Sequence, residues 1–118
     1  VQALCEAAVS LADHCNAFAI VAITRLGNAA RVLSALRPRT PIFASTETDV
    51  IARQLTLYRG VTPLTTGIGK DADTTGTLLK QELSSRGLVP SGSIVVFMSG
   101  NARLERAEQN SVNLQRFE

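Results

Sequence analysis

The sequence predicts an α/β domain in three layers: a mostly parallel five-stranded sheet, its last strand antiparallel, held between helices. Three observations predict it. Apolar runs rich in β-branched residues, AFAIVAIT at Ala17–Thr24 and SIVVFMSG at Ser93–Gly100, have the unbroken character of strands covered on both faces. Stretches with apolar residues every three or four positions alternate with strand patterns, the order that builds a parallel sheet. The last two strand patterns have no helical pattern between them, so that pair runs antiparallel. Composition agrees. The 118 residues make one domain, 1–118; hydrophobic residues are 45% and aromatics 4% with no Trp, so the core is Ala, Val, Ile and Leu.

Taken in order, Leu4, Ala7, Ala8, Leu11, Ala12 and Cys15 mark one face of a first helix. Ala17–Thr24 is the first strand. Arg25-Leu26-Gly27 breaks it, and Ala29, Val32, Leu33 and Leu36 resume helical spacing as far as Arg37-Pro38, where proline disfavours α geometry in the residue before it. Pro41–Thr46 reads as a second buried strand. Thr46, with Asp49 three residues on, offers a capping-box-like start to a helix through Val50, Ile51, Leu55 and Leu57 that ends before Gly60. Val61–Leu64 forms a short third strand. Thr65–Gly76 is rich in turn formers and gives way to a helix through Leu78, Leu79 and Leu83, closed by Gly87. Pro90-Ser91-Gly92 turns into the fourth strand. Ser111–Phe117, alternating Val112 and Leu114, is the fifth.

Several function classes are excluded. A complete eight-stranded barrel enzyme needs at least about 200 residues. The net charge is +2, and ten of the twelve basic residues are scattered arginines, unlike the clustered stripe of a nucleic-acid binder. Guanidinium groups suit bidentate contacts to phosphate or carboxylate, so the arginine bias fits anion contacts. Cys5 and Cys15 are ten residues apart in one helical pattern; about 15 Å of helix separates them, beyond disulfide reach, so both are thiols. His14 stands alone without a Cys/His cluster, which reads as a structural or solvated histidine with no metal. No apolar stretch approaches the ~20 residues of a membrane span and no signal peptide is visible, so the expected address is cytoplasmic.

Ligands of open α/β sheets bind beyond the carboxyl ends of strands, where helix starts present free N–H groups. The first such end here is Thr24 to Ala29. Thr24 offers a hydroxyl, Arg25 a guanidinium, Gly27 close backbone approach, and Asn28 and Ala29 the helix start. This set can hold a phosphate; Thr24 or Asn28 can equally serve as a local cap. The second end is Ser99-Gly100, followed by Asn101–Gln109 with Arg103 and Arg106 among glutamates. That segment reads as a lid over the first site or as a solvated connection. Other motifs fail. Gly69-Lys70 is followed by Asp71 and lacks the Walker glycine spacing, and no GxSxG or dinucleotide fingerprint exists. No autonomous active site is visible.

The ordered set Thr24, Gly27, Arg37-Pro38, Pro41-Ile42, Thr46 and Arg59-Gly60-Val61-x-Pro63-Leu64, with Gly87-Leu88-Val89, Gly92 and IVVFMSG downstream, strongly resembles the carboxyl-terminal domain of pyruvate kinase, from roughly residue 3 to residue 115. The resemblance implies a family enzyme that transfers phosphate from phosphoenolpyruvate to ADP with magnesium and potassium, on a barrel and a capping domain too large for this chain. It assigns no cofactor to this domain. Its role would be to bind a phosphorylated small-molecule effector, to lean on the catalytic barrel and to form part of a homo-oligomer interface. The implied grip is the turn Thr24–Ala29, closed by the segment Gly100–Asn110. Departures matter: the family's Ser, basic residue and second Ser in the turn are Leu26, Asn28 and Ala29 here, Ser93 stands in place of an Asp, and NARLERAEQN replaces a loop with Trp and Gly. Weak binding of a sugar bisphosphate, or none, follows.

Three functions fit these residues. The first is the regulatory and oligomerisation domain of a pyruvate kinase, inactive alone; a start at Val1 without Met fits a piece of a longer chain. The second is a free-standing module that binds a phosphate-containing small molecule on the same fold. The third is a small phosphoryl-handling enzyme. A dimer at high concentration, through a surface that includes Ser111–Phe117, is expected because a domain that leans on a barrel should expose apolar surface.

Overall fold

The structure, a computed structural model, describes residues 2–24, 27–46, 48–64, 72–99 and 111–117, with the backbone alone at 72–76. Helices α1 (Gln2–Cys15), α2 (Asn28–Ala35), α3 (Asp49–Leu55) and α4 (Ala72–Ser85) alternate with strands β1 (Ala19–Ile23), β2 (Ile42–Ser45), β3 (Val61–Leu64) and β4 (Ile94–Ser99); β5 (Ser111–Arg116) follows β4 directly among them. The sheet runs β3-β2-β1-β4-β5. The four inner pairings match the expected α/β fold: β1 is parallel to β2 and β4, β2 to β3, and β4 to β5 is antiparallel.

Alternation along the strands divides the core in two. Ile20, Ala22, Ile42, Val96 and Met98 face Cys5, Ala8 and Ala12 of α1 and Ala29 and Leu33 of α2, while Ala30 and Ala44 pack on Leu55 of α3. On the other face Val21, Phe43, Val95 and Phe97 meet Leu79 and Leu83 of α4, with Phe117 stacked on Phe97 at 6.1 Å between ring centroids. Helices thus cover both faces. β1, Ala19–Ala22 wholly buried, is the strand enclosed most completely, as its unbroken apolar run requires.

Local chemistry sets the ends. α4 stops in a Schellman turn: Gly87 takes φ +67°, its N–H donates to the Ser84 carbonyl at 3.2 Å, and the Leu88 N–H reaches back to Leu83 at 3.0 Å. Asn16, at φ 51°, ends α1 in the same way, with the Ala17 N–H on the Ala12 carbonyl. Pro63 is tolerated in β3 because that strand lies at the edge of the sheet.

Three readings of the sequence need correction. The cap of α3 is Thr48, whose hydroxyl oxygen accepts the Ile51 N–H at 3.2 Å; Thr46 is buried as the residue after β2 and donates to the Thr48 carbonyl. The helix starts two residues later because Thr46 still belongs to the sheet, its N–H bonded to the Leu64 carbonyl. Val50 and Leu57, expected on the inner face of α3, are 60% and 86% exposed, since a helix of only seven residues turns one short stripe, Ile51 and Leu55, inward. On α1 the buried line is Cys5, Ala8 and Ala12, with Ala7 exposed; small side chains at that spacing let α1 lie close to α2, and Cys5 Sγ comes 3.7 Å from the Ala29 carbonyl. No helix of the described residues is long and apolar enough to cross a membrane.

Candidate functional site

The site expected at the carboxyl end of β1 is built around a turn that bonds to itself. Thr24, 6% exposed, is tied to the neighbouring strand by its N–H on the Ser45 carbonyl at 3.1 Å. Its hydroxyl oxygen accepts the Gly27 N–H at 2.9 Å. Gly27 is left-handed, φ 88° and ψ 4°, and is the N-cap of α2, without a side chain to cap the helix. The first bond inside α2 runs from the Arg31 N–H to the Gly27 carbonyl at 3.0 Å. By helix geometry the amides of Asn28, Ala29 and Ala30 therefore have no acceptor within the helix, and they form the positive end of its dipole. That is an arrangement for receiving an anion.

Strand order places this turn. β2 lies on one side of β1 and β4 on the other, so the sheet reverses its order between β1 and β4, the position beyond whose carboxyl ends ligands of open α/β sheets bind. Ile23 and Ser99 are register partners there. The two candidate ends, Thr24–Ala29 and Ser99-Gly100, are thus brought side by side. Arg25, Gly100 and Arg103 lie outside the described residues, as does the Gly67–Lys70 stretch. Among the described residues Asn28 caps nothing: it is exposed, the first residue of the helix, and its Oδ1 accepts from Arg31 Nη1 at 3.1 Å.

Arg31 was missed by reading the sequence. Its Nη2 donates to Gln54 Oε1 at 3.4 Å and its guanidinium lies 5.9 Å from the Tyr58 ring centroid. Among the described residues its partners, Asn28, Gln54 and Tyr58, are uncharged side chains. The i,i+3 spacing from Asn28 was the available signal.

Two further groups bear on the chemistry. Ser45 Oγ is buried without a hydrogen-bond partner, between its register neighbours Ile23 and Leu64. Burial pushes the Cys5 thiol up. His14 Nδ1 lies 2.7 Å from the Ser10 carbonyl on the exposed side of α1. Among the described residues no group of three His, Cys, Asp or Glu stands together that could hold a metal ion.

The family model of the pyruvate kinase alpha/beta domain matches residues 2–115. The chain is similar to the chloroplastic pyruvate kinase isozyme A of Ricinus communis, 31% identical over 98 residues that make up 83% of this chain and 17% of that protein. It is similar also to the pyruvate kinase of Thermoplasma acidophilum, 31% identical over 109 residues, 92% of this chain and 20% of that one. A crystal structure of a pyruvate kinase from Cryptosporidium parvum superimposes with a TM-score of 0.85 at 26% identity, covering 99% of this chain and 22% of its own. The chain spans about a fifth of the length of these relatives.

Proposed function

This chain belongs to the pyruvate kinase alpha/beta domain family, and from that premise we propose that it is the regulatory and assembly lobe of a pyruvate kinase. In this reading it holds a phosphate-bearing effector weakly at the start of α2 and carries out no catalysis of its own. The transfer of phosphate from phosphoenolpyruvate to ADP, with its magnesium and potassium, belongs to a barrel. The cytoplasmic address rests on the same glycolytic role.

The observation that carries the pocket is the uncapped start of α2 at the reversal of strand order. The amides of Asn28, Ala29 and Ala30 supply the phosphate contacts. Thr24 has already given its oxygen to the Gly27 N–H and retains only its hydroxyl proton for a ligand. Leu26, Asn28 and Ala29 stand where the family has two hydroxyls and a cation. At about 1–3 kcal/mol per charge-assisted hydrogen bond, losing two weakens binding by one to several orders of magnitude. Assembly through β5 draws support from its position at the sheet edge, with one side of its backbone unpaired among the described strands and Leu114 42% exposed.

Calorimetric titration with fructose bisphosphate tests the pocket: a dissociation constant no tighter than millimolar is expected, and a micromolar one overturns the weak-binding reading. Phosphoenolpyruvate and ADP added to the purified chain should give no turnover; measurable pyruvate would make it an enzyme in its own right. Sedimentation at hundreds of micromolar should find a dimer, and monomer alone would remove the assembly role.

A further inference from the structure

The far end of the α2–α3 pair, away from the start of α2, gathers positive charge. Because β1, β2 and β3 are parallel, α2 and α3 both run back to the amino edge of the sheet and finish side by side. The Ser34 hydroxyl of α2 donates to the Arg59 carbonyl at 2.8 Å, and Arg31 reaches from α2 to Gln54 and to the Tyr58 ring, 5.9 Å from its centroid. Arg37 follows α2, Arg53 stands in the last turn of α3, and Arg59 precedes β3. Scattered along the sequence, these arginines are brought together by the fold.

Among the described residues Arg37, Arg53 and Arg59 are exposed and have neither an ion pair nor a side-chain hydrogen bond. Asp49, at the opposite end of α3, is the one acidic residue in the described stretches 27–46 and 48–64, against five arginines. The carboxyl poles of the two helices supply about half a negative charge each. They therefore offset about one of the guanidinium charges of Arg31, Arg37, Arg53 and Arg59 and leave the rest. Between Arg53 and Arg59 the chain also turns apolar groups outward, Leu57 at 86% exposed and Tyr58 at 37%. Such a surface is complementary to a partner that is acidic and apolar at once.

We propose that the shared end of α2 and α3 is a docking surface for an acidic protein segment with an apolar anchor. Its carboxylates meet Arg37, Arg53 and Arg59 in the two-pronged geometry a guanidinium offers, and its apolar side chain lies on Leu57 and Tyr58. The charges steer the segment in, and the apolar contact, desolvated on docking, holds it there. The surface is separate from the phosphate pocket and does not depend on it.

Nuclear magnetic resonance titration of the labelled chain with a synthetic glutamate–leucine peptide tests the assignment, beside a glutamine-for-glutamate peptide, an alanine-for-leucine peptide and phosphatidylserine vesicles. The acidic leucine peptide should shift the amides of Gln54, Leu57 and Arg59, with an affinity that falls as salt is raised. Each altered peptide should bind about tenfold more weakly. Arg53→Gln and Arg59→Gln should each weaken the acidic peptide about two- to fivefold and leave the glutamine peptide unchanged, and Leu57→Ala should weaken both leucine peptides. All three residues are exposed, so the variants keep the fold, and unaltered thermal unfolding checks this. Equal binding of all the peptides, shifts elsewhere, none at millimolar peptide, or binding to the vesicles in place of the peptide would overturn the proposal, whatever fructose bisphosphate does at the other edge.

Discussion

Gly27 and Leu55 are packed so closely that a methyl group on the glycine would lie 3.0 Å from Leu55 Cδ2, with Ile51 Cγ2 at 3.4 Å. The turn at the end of β1 is therefore held against α3 as well as against its own strand. Gly27→Ala adds a left-handed strain to this crowding, and we expect it to cost about 1–3 kcal/mol. Thermal unfolding should register a drop of several degrees. Shortening Leu55 relieves the contact, so Leu55→Ala should cost less in the Gly27→Ala background than in the parent; strict additivity would contradict the contact.

Ser45 gives the opposite sign. Its buried, unpartnered hydroxyl carries a desolvation cost of about 1–3 kcal/mol. Ser45→Ala should raise the unfolding free energy by about 1 kcal/mol after the lost packing is offset, read as a higher midpoint of urea unfolding. A destabilised variant would mean that the hydroxyl has a partner.

Leucines separate by face. Leu83 is wholly buried on the α4 side and Leu57 is 86% exposed. Leu83→Ala should cost about 2–5 kcal/mol, while Leu57→Ala should stay within about 0.5 kcal/mol. Denaturant curves for the pair check it.

Cys5 predicts a pH dependence. Burial raises its pKa above the ordinary value of 9.0, so the folded chain holds the thiol proton more tightly than the unfolded one. The stability this contributes is complete below pH 9.0 and is lost as pH rises through the raised value. Stability should fall between pH 8 and pH 10 by less in Cys5→Ala than in the parent, at roughly those two ends of the thiol range. Cys15, half-buried, should react with a maleimide first.

The sheet was legible because strand patterns are local: the wholly buried run of β1 and the missing helix before β5 each announce themselves in a few residues. Helix faces were less legible. Thr46 and Thr48 are chemically equivalent caps, and only the Thr46 N–H bond to Leu64, made between strands distant in sequence, decides between them. The same holds at the candidate site. Thr24 and Gly27 could be picked out by residue type, but that the hydroxyl faces the glycine amide depends on the backbone reversing at φ 88°. Arg31 draws its position from Gln54 and Tyr58, which no spacing within α2 reveals. The cationic surface at the amino edge joins the end of α2 to Arg59 through the Ser34 hydroxyl, a proximity created by parallel pairing alone.

The place of β1 between β2 and β4 also shapes how the chain reaches its fold. Its pairing with β2 closes over a single short helix, whereas Ala19 meets Val95 only from the far part of the sequence. Loop-closure entropy makes the near pairing the cheaper one. A nascent chain can therefore assemble β1, β2 and β3 with their helices while one flank of β1 stays open. That flank is a sticky intermediate until β4 emerges, which makes the segment from α4 through β5 the point at which aggregation and successful maturation compete.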